Sequence, residues 1–144
     1  GLGDVYKRKY WMNRQIIDDY PLDLVSPVDW TDENKDINDR VRSYLDVNCG
    51  HCHSPTGNAN STGLYLHLNE TRDIHLGVFK KPVATGRGSG GLKYSIVPGE
   101  PEKSILLHRM ISMDPGVMMP ESGRALTHTE AVDMVRDWIL LMED

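Results

Sequence analysis

Residues 49–53 read Cys49-Gly50-His51-Cys52-His53. Two cysteines separated by two residues and followed at once by a histidine form the C-x-x-C-H pattern of covalent c-type haem attachment. Each thiol adds across one vinyl group of the porphyrin, and the two-residue gap matches the separation of those vinyls. The next residue, His53, then falls under the iron, where a neutral imidazole nitrogen is a good ligand. Two other chemistries use cysteine pairs. A redox dithiol belongs in a βαβ setting, which the flanking sequence does not offer. Half of a zinc site needs a second ligand pair, and the chain has only two cysteines. The five residues therefore predict one covalent haem c on Cys49, Cys52 and His53.

The composition is consistent with such a group at the centre. The chain has 144 residues, enough for one domain with one modest core. It contains a single phenylalanine, Phe79, and only 39% of it is hydrophobic. A porphyrin buried edge-on would supply the missing aromatic core. With both cysteines used by the motif, no disulfide is expected. Attachment of this kind takes place in the export compartment of bacteria, which predicts a periplasmic or otherwise exported protein. The net charge of −5 argues against nucleic acid and against a polybasic membrane contact. No run of about 18 apolar residues is present, so no transmembrane segment is expected, and no signal peptide is seen. The chain reads as mature, or as a domain of something longer.

Outward from the motif, a helix is predicted upstream from an Asp36 N-cap, with Asp39 in its first turn facing the positive helix end. Ile37, Val41, Tyr44, Leu45 and Asn48 recur on one face, and Arg40, Arg42 and Asp46 fall on the other. Downstream, residues 54–63 are a turn-rich loop suited to offering a backbone carbonyl to the far nitrogen of His53. Leu64 to Leu68 form a short strand or an irregular apolar run. The glycine-rich stretch 86–91 does not open a helix, so it reads as a surface turn rather than a phosphate loop. Arg87 and Lys93 are cations able to meet haem propionates. Pro101 suits the first position of a helix with Leu106, Leu107, Met110 and Ile111 on one face. A last helix is predicted from Thr127, with Glu130 completing a capping box and Ala131, Val135, Trp138 and Met142 on one stripe.

Residues 1–30 stand apart as an N-terminal extension to a haem domain spanning 31–144. Tyr6, Tyr10, Trp11, Tyr20 and Trp30 concentrate aromatics there, Lys7 to Lys9 are basic, and Pro21 and Pro27 discourage a long helix. The extension reads either as a solvated arm whose aromatics cover the domain's flank or as a docking arm for a larger redox partner.

The sixth iron position has nine sequence candidates: Met110, Met113, Met118, Met119, His51, His67, His75, His108 and His128. Met110 has the spacing of a packing residue in a helix. His51 lies inside the motif and is tethered beside the haem edge. Met113, Met118 and Met119 fall in or near a proline-bounded loop. Met119 precedes Pro120, the usual form of a distal loop in small cytochromes c, and is the preferred ligand, with Met118 as fallback.

The order helix, Cys49-Gly50-His51-Cys52-His53, long loop, Met119-Pro120 and aromatic-bearing last helix resembles a class I cytochrome c domain. More narrowly, 42–48, 97–104, 119–123 and Trp138-Ile139 resemble a family of bacterial secreted cytochrome-like proteins described as dihaem. Only one C-x-x-C-H is present, so the second haem of that family is not supported. The resemblance covers about residues 36–143. It implies a mainly α fold in which the helix before the motif crosses the last helix, with Tyr44 and Leu45 against Val135 and Trp138. His/Met ligation saturates the iron and raises its potential. The implied function is one-electron Fe(III)/Fe(II) cycling, as a carrier or as the electron-transfer subunit of a larger oxidoreductase complex. The rival reading is a haem enzyme or sensor, peroxidase-like or gas-binding, with an open sixth position and His67, His75 or His108 as a distal base.

Overall fold

The structure, a computed structural model, describes residues 2–19 and 26–143, with side chains from residue 6 onward. Tyr20 and Pro21 of the N-terminal arm lie outside the described residues. Among the described residues, five α-helices run in order: α1 (Leu2–Asn13), α2 (Ile37–Leu45), α3 (Asp73–Leu76), α4 (Ile105–Ile111) and α5 (Thr129–Leu140). No sheet forms among the described residues. Two isolated parallel bridges, Val78 to Ile96 and Tyr94 to Ser104, are the only β pairing there. The expectation of a mainly α chain therefore holds. No helix among the described residues is long and apolar enough to cross a membrane.

Helix α2 starts where the sequence places it. The Asp36 carboxylate accepts from the Asn38 amide at 2.8 Å, supplying a partner for one of the first-turn donors. Val41, Tyr44 and Leu45 are buried as one face. They join Val135, Trp138 and Ile139 of α5 in the core, and the Trp138 indole donates to Asn38 Oδ1 at 3.1 Å. The two helices thus pack against each other through the residues expected of them.

The other face of α2 is not the solvated one its charges suggest. Arg42 is half-buried, and one guanidinium nitrogen donates to three carbonyls, of His67, Leu68 and Glu70. Asp46 accepts the Leu68 amide at 2.9 Å. Both side chains fasten the 67–70 segment to α2. From Asp46 to Gly50 the helix widens into a π turn that leads straight into the cysteine motif.

Two further helix boundaries, and the exposure of one residue, differ from expectation. The helix predicted from Pro101 splits at Ser104 into a 3₁₀ turn, Pro101–Lys103, and α4. Ser104 is fully buried, and its hydroxyl is shared between the Val97 amide and the Glu100 carbonyl. The first amides of α4 are taken by carbonyls of Tyr94 and Ser95, so the bridge strand caps the helix instead of a continued turn. Ile111 is left 40% exposed rather than buried with Met110. Helix α5 begins at Thr129 with His128 in the cap position, not at Thr127. Thr127 is engaged elsewhere, donating to the Ile111 carbonyl and lying 3.3 Å from Met113 Sδ, so no capping box forms.

The aromatics of residues 1–30 divide in two. Tyr6 and Tyr10 on α1 are exposed. Trp30 is half-buried and meets Tyr44 and His128 edge-on, at centroid distances of 5.7 and 4.9 Å. Nearby, the Val28 amide donates to the buried Ser43 hydroxyl.

Candidate functional site

A cavity of about 1040 Å³ opens beside the end of α2, at the upper limit of ordinary ligand cavities, which span about 300–1,000 Å³. Cys49, Cys52 and His53 border it, and so does Met119 from a loop 66 residues further on. Four residues chosen from sequence for one prosthetic group thus share one space. Of the remaining distal candidates, Met110, His51 and His128 also border it, whereas Met113, Met118, His67, His75 and His108 do not. Both thiols are free.

The local chain explains how the motif is held. The Cys52 and His53 amides both donate to the Cys49 carbonyl, so the motif continues the helical turn that precedes it. The loop after it folds straight back, with the Ala59 amide donating to the Cys52 carbonyl at 3.0 Å. Gly57 makes that fold possible, since a Cβ there would run into the Cys52 carbonyl. The Leu64–Leu68 stretch is irregular rather than a strand. It lies alongside the motif, with the Leu66 amide donating to the His53 carbonyl at 2.7 Å.

Glu70 anchors this stretch. It is 4% exposed, takes two bonds from the Arg72 guanidinium at 2.8 Å, and lies 3.2 Å from His75 Nδ1. The Tyr65 amide in turn donates to the His75 carbonyl. The Arg72 hydrogen bonds hold the Glu70 carboxyl well below its ordinary value of 4.5, with smaller help from His75. A depressed folded-state value gives stability that is full above pH 4.5 and is lost as the pH falls toward the folded value. Glu70→Gln should therefore lower the thermal midpoint at pH 7, and the gap to the parent should shrink below about pH 4. Melting curves across pH check this; a gap that widens in acid would contradict it.

His53 is suited to act as a ligand. Burial lowers its pKa, and the field of Arg109 adds to this against the opposing Leu64 backbone, so the imidazole is neutral at pH 7. The Leu64 backbone faces the ring closely enough to favour its protonated form, yet Nδ1 is buried outside hydrogen-bonding geometry. Burial, with Cys52 beside it, pushes the Cys49 thiol up to about 12.

The charge lining the cavity was not foreseen. Lys80, Arg109 and Arg124 border it, against Glu121 as its one carboxylate. Arg87 and Lys93, the cations proposed from sequence, do not. Arg87 makes a two-pronged ion pair with Asp114 at 2.9 and 3.0 Å, and Lys93 sits 5.0 Å from the Tyr94 ring centre.

No protein-family model, curated protein or solved structure matches the chain. The fit of the site to a prosthetic group rests on its own donors. No group of three or more His, Cys, Asp or Glu side chains placed to hold a metal ion forms among the described residues, whereas a tetrahedral zinc centre would draw on four such ligands. What the cavity does gather is a thiol pair, a neutral imidazole, a thioether, apolar walls from Leu64, Leu66, Ile105 and Val132, and an excess of cations. That set fits a flat apolar macrocycle bearing two carboxylates. Arg109 and Arg124 escaped the sequence reading because neither lies in a motif. The one available signal was that Arg124 follows directly on 119–123.

Proposed function

We propose that the chain is a c-type cytochrome domain carrying one covalent haem and passing single electrons, as a carrier or as the electron-transfer subunit of a larger complex. The observation that carries this reading is the meeting of Cys49, Cys52, His53 and Met119 on one cavity. Cys49 and Cys52 would hold the group through thioethers, His53 would supply the proximal nitrogen, and Met119 the distal sulfur. When bound, the group supplies reversible one-electron Fe(III)/Fe(II) chemistry. The protein's part is to fix the ligands and set the field around them. Burial keeps His53 neutral, and a neutral thioether favours the reduced ion. Apolar walls keep water away, which also tunes the potential. The packing of α2 against α5 and the Met-Pro loop agree with a class I cytochrome c fold. Maturation of such a group places the protein in an export compartment, and residues 1–30 remain the proposed contact to a redox partner.

The experiment is direct. Protein made with cytochrome c maturation factors should keep its colour on the polypeptide after acid-acetone extraction. Its spectrum in alkaline pyridine should be that of haem with both vinyls saturated. Complete transfer of colour to the solvent would refute covalent attachment.

A further inference from the structure

We infer that Arg124 is a positioning residue for Met119, setting how firmly its sulfur reaches the iron; this rests on the proposed cytochrome function. Its guanidinium is shared among three backbone carbonyls. It donates to Met110 at 2.5 Å, to Met119 at 2.9 Å, and to Ser112. Met110 lies in the last turn of α4 and Ser112 caps it. Carbonyls at a helix end lack partners within the helix, and a cation there also meets the negative end of the helix dipole. Arg124 thus ties a fixed point, the end of α4, to the carbonyl of the residue that carries the distal sulfur.

The other side of Met119 is tied to the same helix. Its amide donates to the Arg109 carbonyl at 2.9 Å, and the Arg109 side chain donates from Nε to the Val117 carbonyl at 2.8 Å. Both backbone polar groups of Met119 are therefore bound, one to α4 itself and one through Arg124 to its end. The next loop residue back, Met118, has no such pair, since its amide goes to Asp114 within the loop. Arg124 is half-buried, and its Nε is buried without a partner. A group that leaves one polar atom unpaired in order to hold three carbonyls is placed by those carbonyls.

Mutating residues that position a metal's ligands typically changes metal affinity or activity by about 10–100-fold. Arg124→Ala should keep a full complement of covalent haem yet raise the affinity of the oxidised protein for added imidazole by roughly that factor. It should also weaken the sulfur-to-iron charge-transfer absorption and lower the reduction potential. Arg124→Lys keeps the charge but has one nitrogen for three carbonyls, so it should restore these properties only in part. Arg136→Ala, which removes an α5 cation paired with Glu102 of the 3₁₀ turn, should resemble the parent. Unchanged imidazole affinity in Arg124→Ala overturns the inference. Full rescue by Lys also overturns it, because charge alone would then suffice. Failure of both variants to fold overturns it as well, since Arg124 would then be a core residue. A parent protein that lacks covalent haem or the charge-transfer absorption instead refutes the cytochrome reading itself.

Discussion

Met119→Ala should abolish the sulfur-to-iron charge-transfer absorption, lower the reduction potential, and open the reduced protein to carbon monoxide. The thioether is soft and neutral, so its loss removes the ligand that favours Fe(II). Met118→Ala is the companion variant. Met118 stands one residue away but does not border the cavity, and its replacement should cost packing alone. The pair separates carrier from enzyme. If Met119→Ala is silent and the parent already binds carbon monoxide, the sixth position is open, and the peroxidase-like or gas-binding reading takes over. If Met118→Ala carries the effect, the ligand moves one residue and the carrier function stands.

Replacing Cys49 and Cys52 together by alanine should have the largest effect on the fold. The cavity they border is about 1040 Å³, and Leu66, Val132 and Met110 turn toward the same space from the core. Without the group, the apolar walls Leu64, Leu66, Ile105 and Val132 would face solvent instead of a macrocycle, and that lost burial would weaken the core. The double variant should accumulate poorly, carry no covalent haem, and lose the sharp thermal transition of the parent. A variant that melts as cooperatively as the parent without haem would show that the polypeptide alone closes the core.

How much of this was legible in sequence depends on the range of the interaction. That Cys49, Cys52 and His53 border one cavity was readable because they are neighbours in the chain. Asp36 and the buried face of α2 were readable because cap and period are local. Met119 was distinguished from Met118 by its Pro120 neighbour, a local cue, and only Met119 of the two borders the cavity. Interactions that join distant segments left no such trace. Arg42 looked like a surface residue until the 67–70 carbonyls came to meet it. Thr127 fits a capping box perfectly well by itself, yet the end of α4 claims its hydroxyl. Ser104 breaks a helix that periodicity would continue, because carbonyls from residues 94 and 95 reach its first amides. Arg124 is the extreme case, a loop cation held by carbonyls at the end of α4, ten or more residues away, as well as by Met119 of its own loop.

The raised pKa of Cys49 has a consequence for the order of events in the life of the molecule. The thiolate is the nucleophile, and a thiol held near 12 is almost wholly protonated at neutral pH. In an open chain the same thiol returns to its ordinary value of about 8.5, where a few per cent of it is ionised at neutral pH. On the proposed cytochrome reading, attachment at this sulfur would go faster on the open chain than after the core has closed over Cys49.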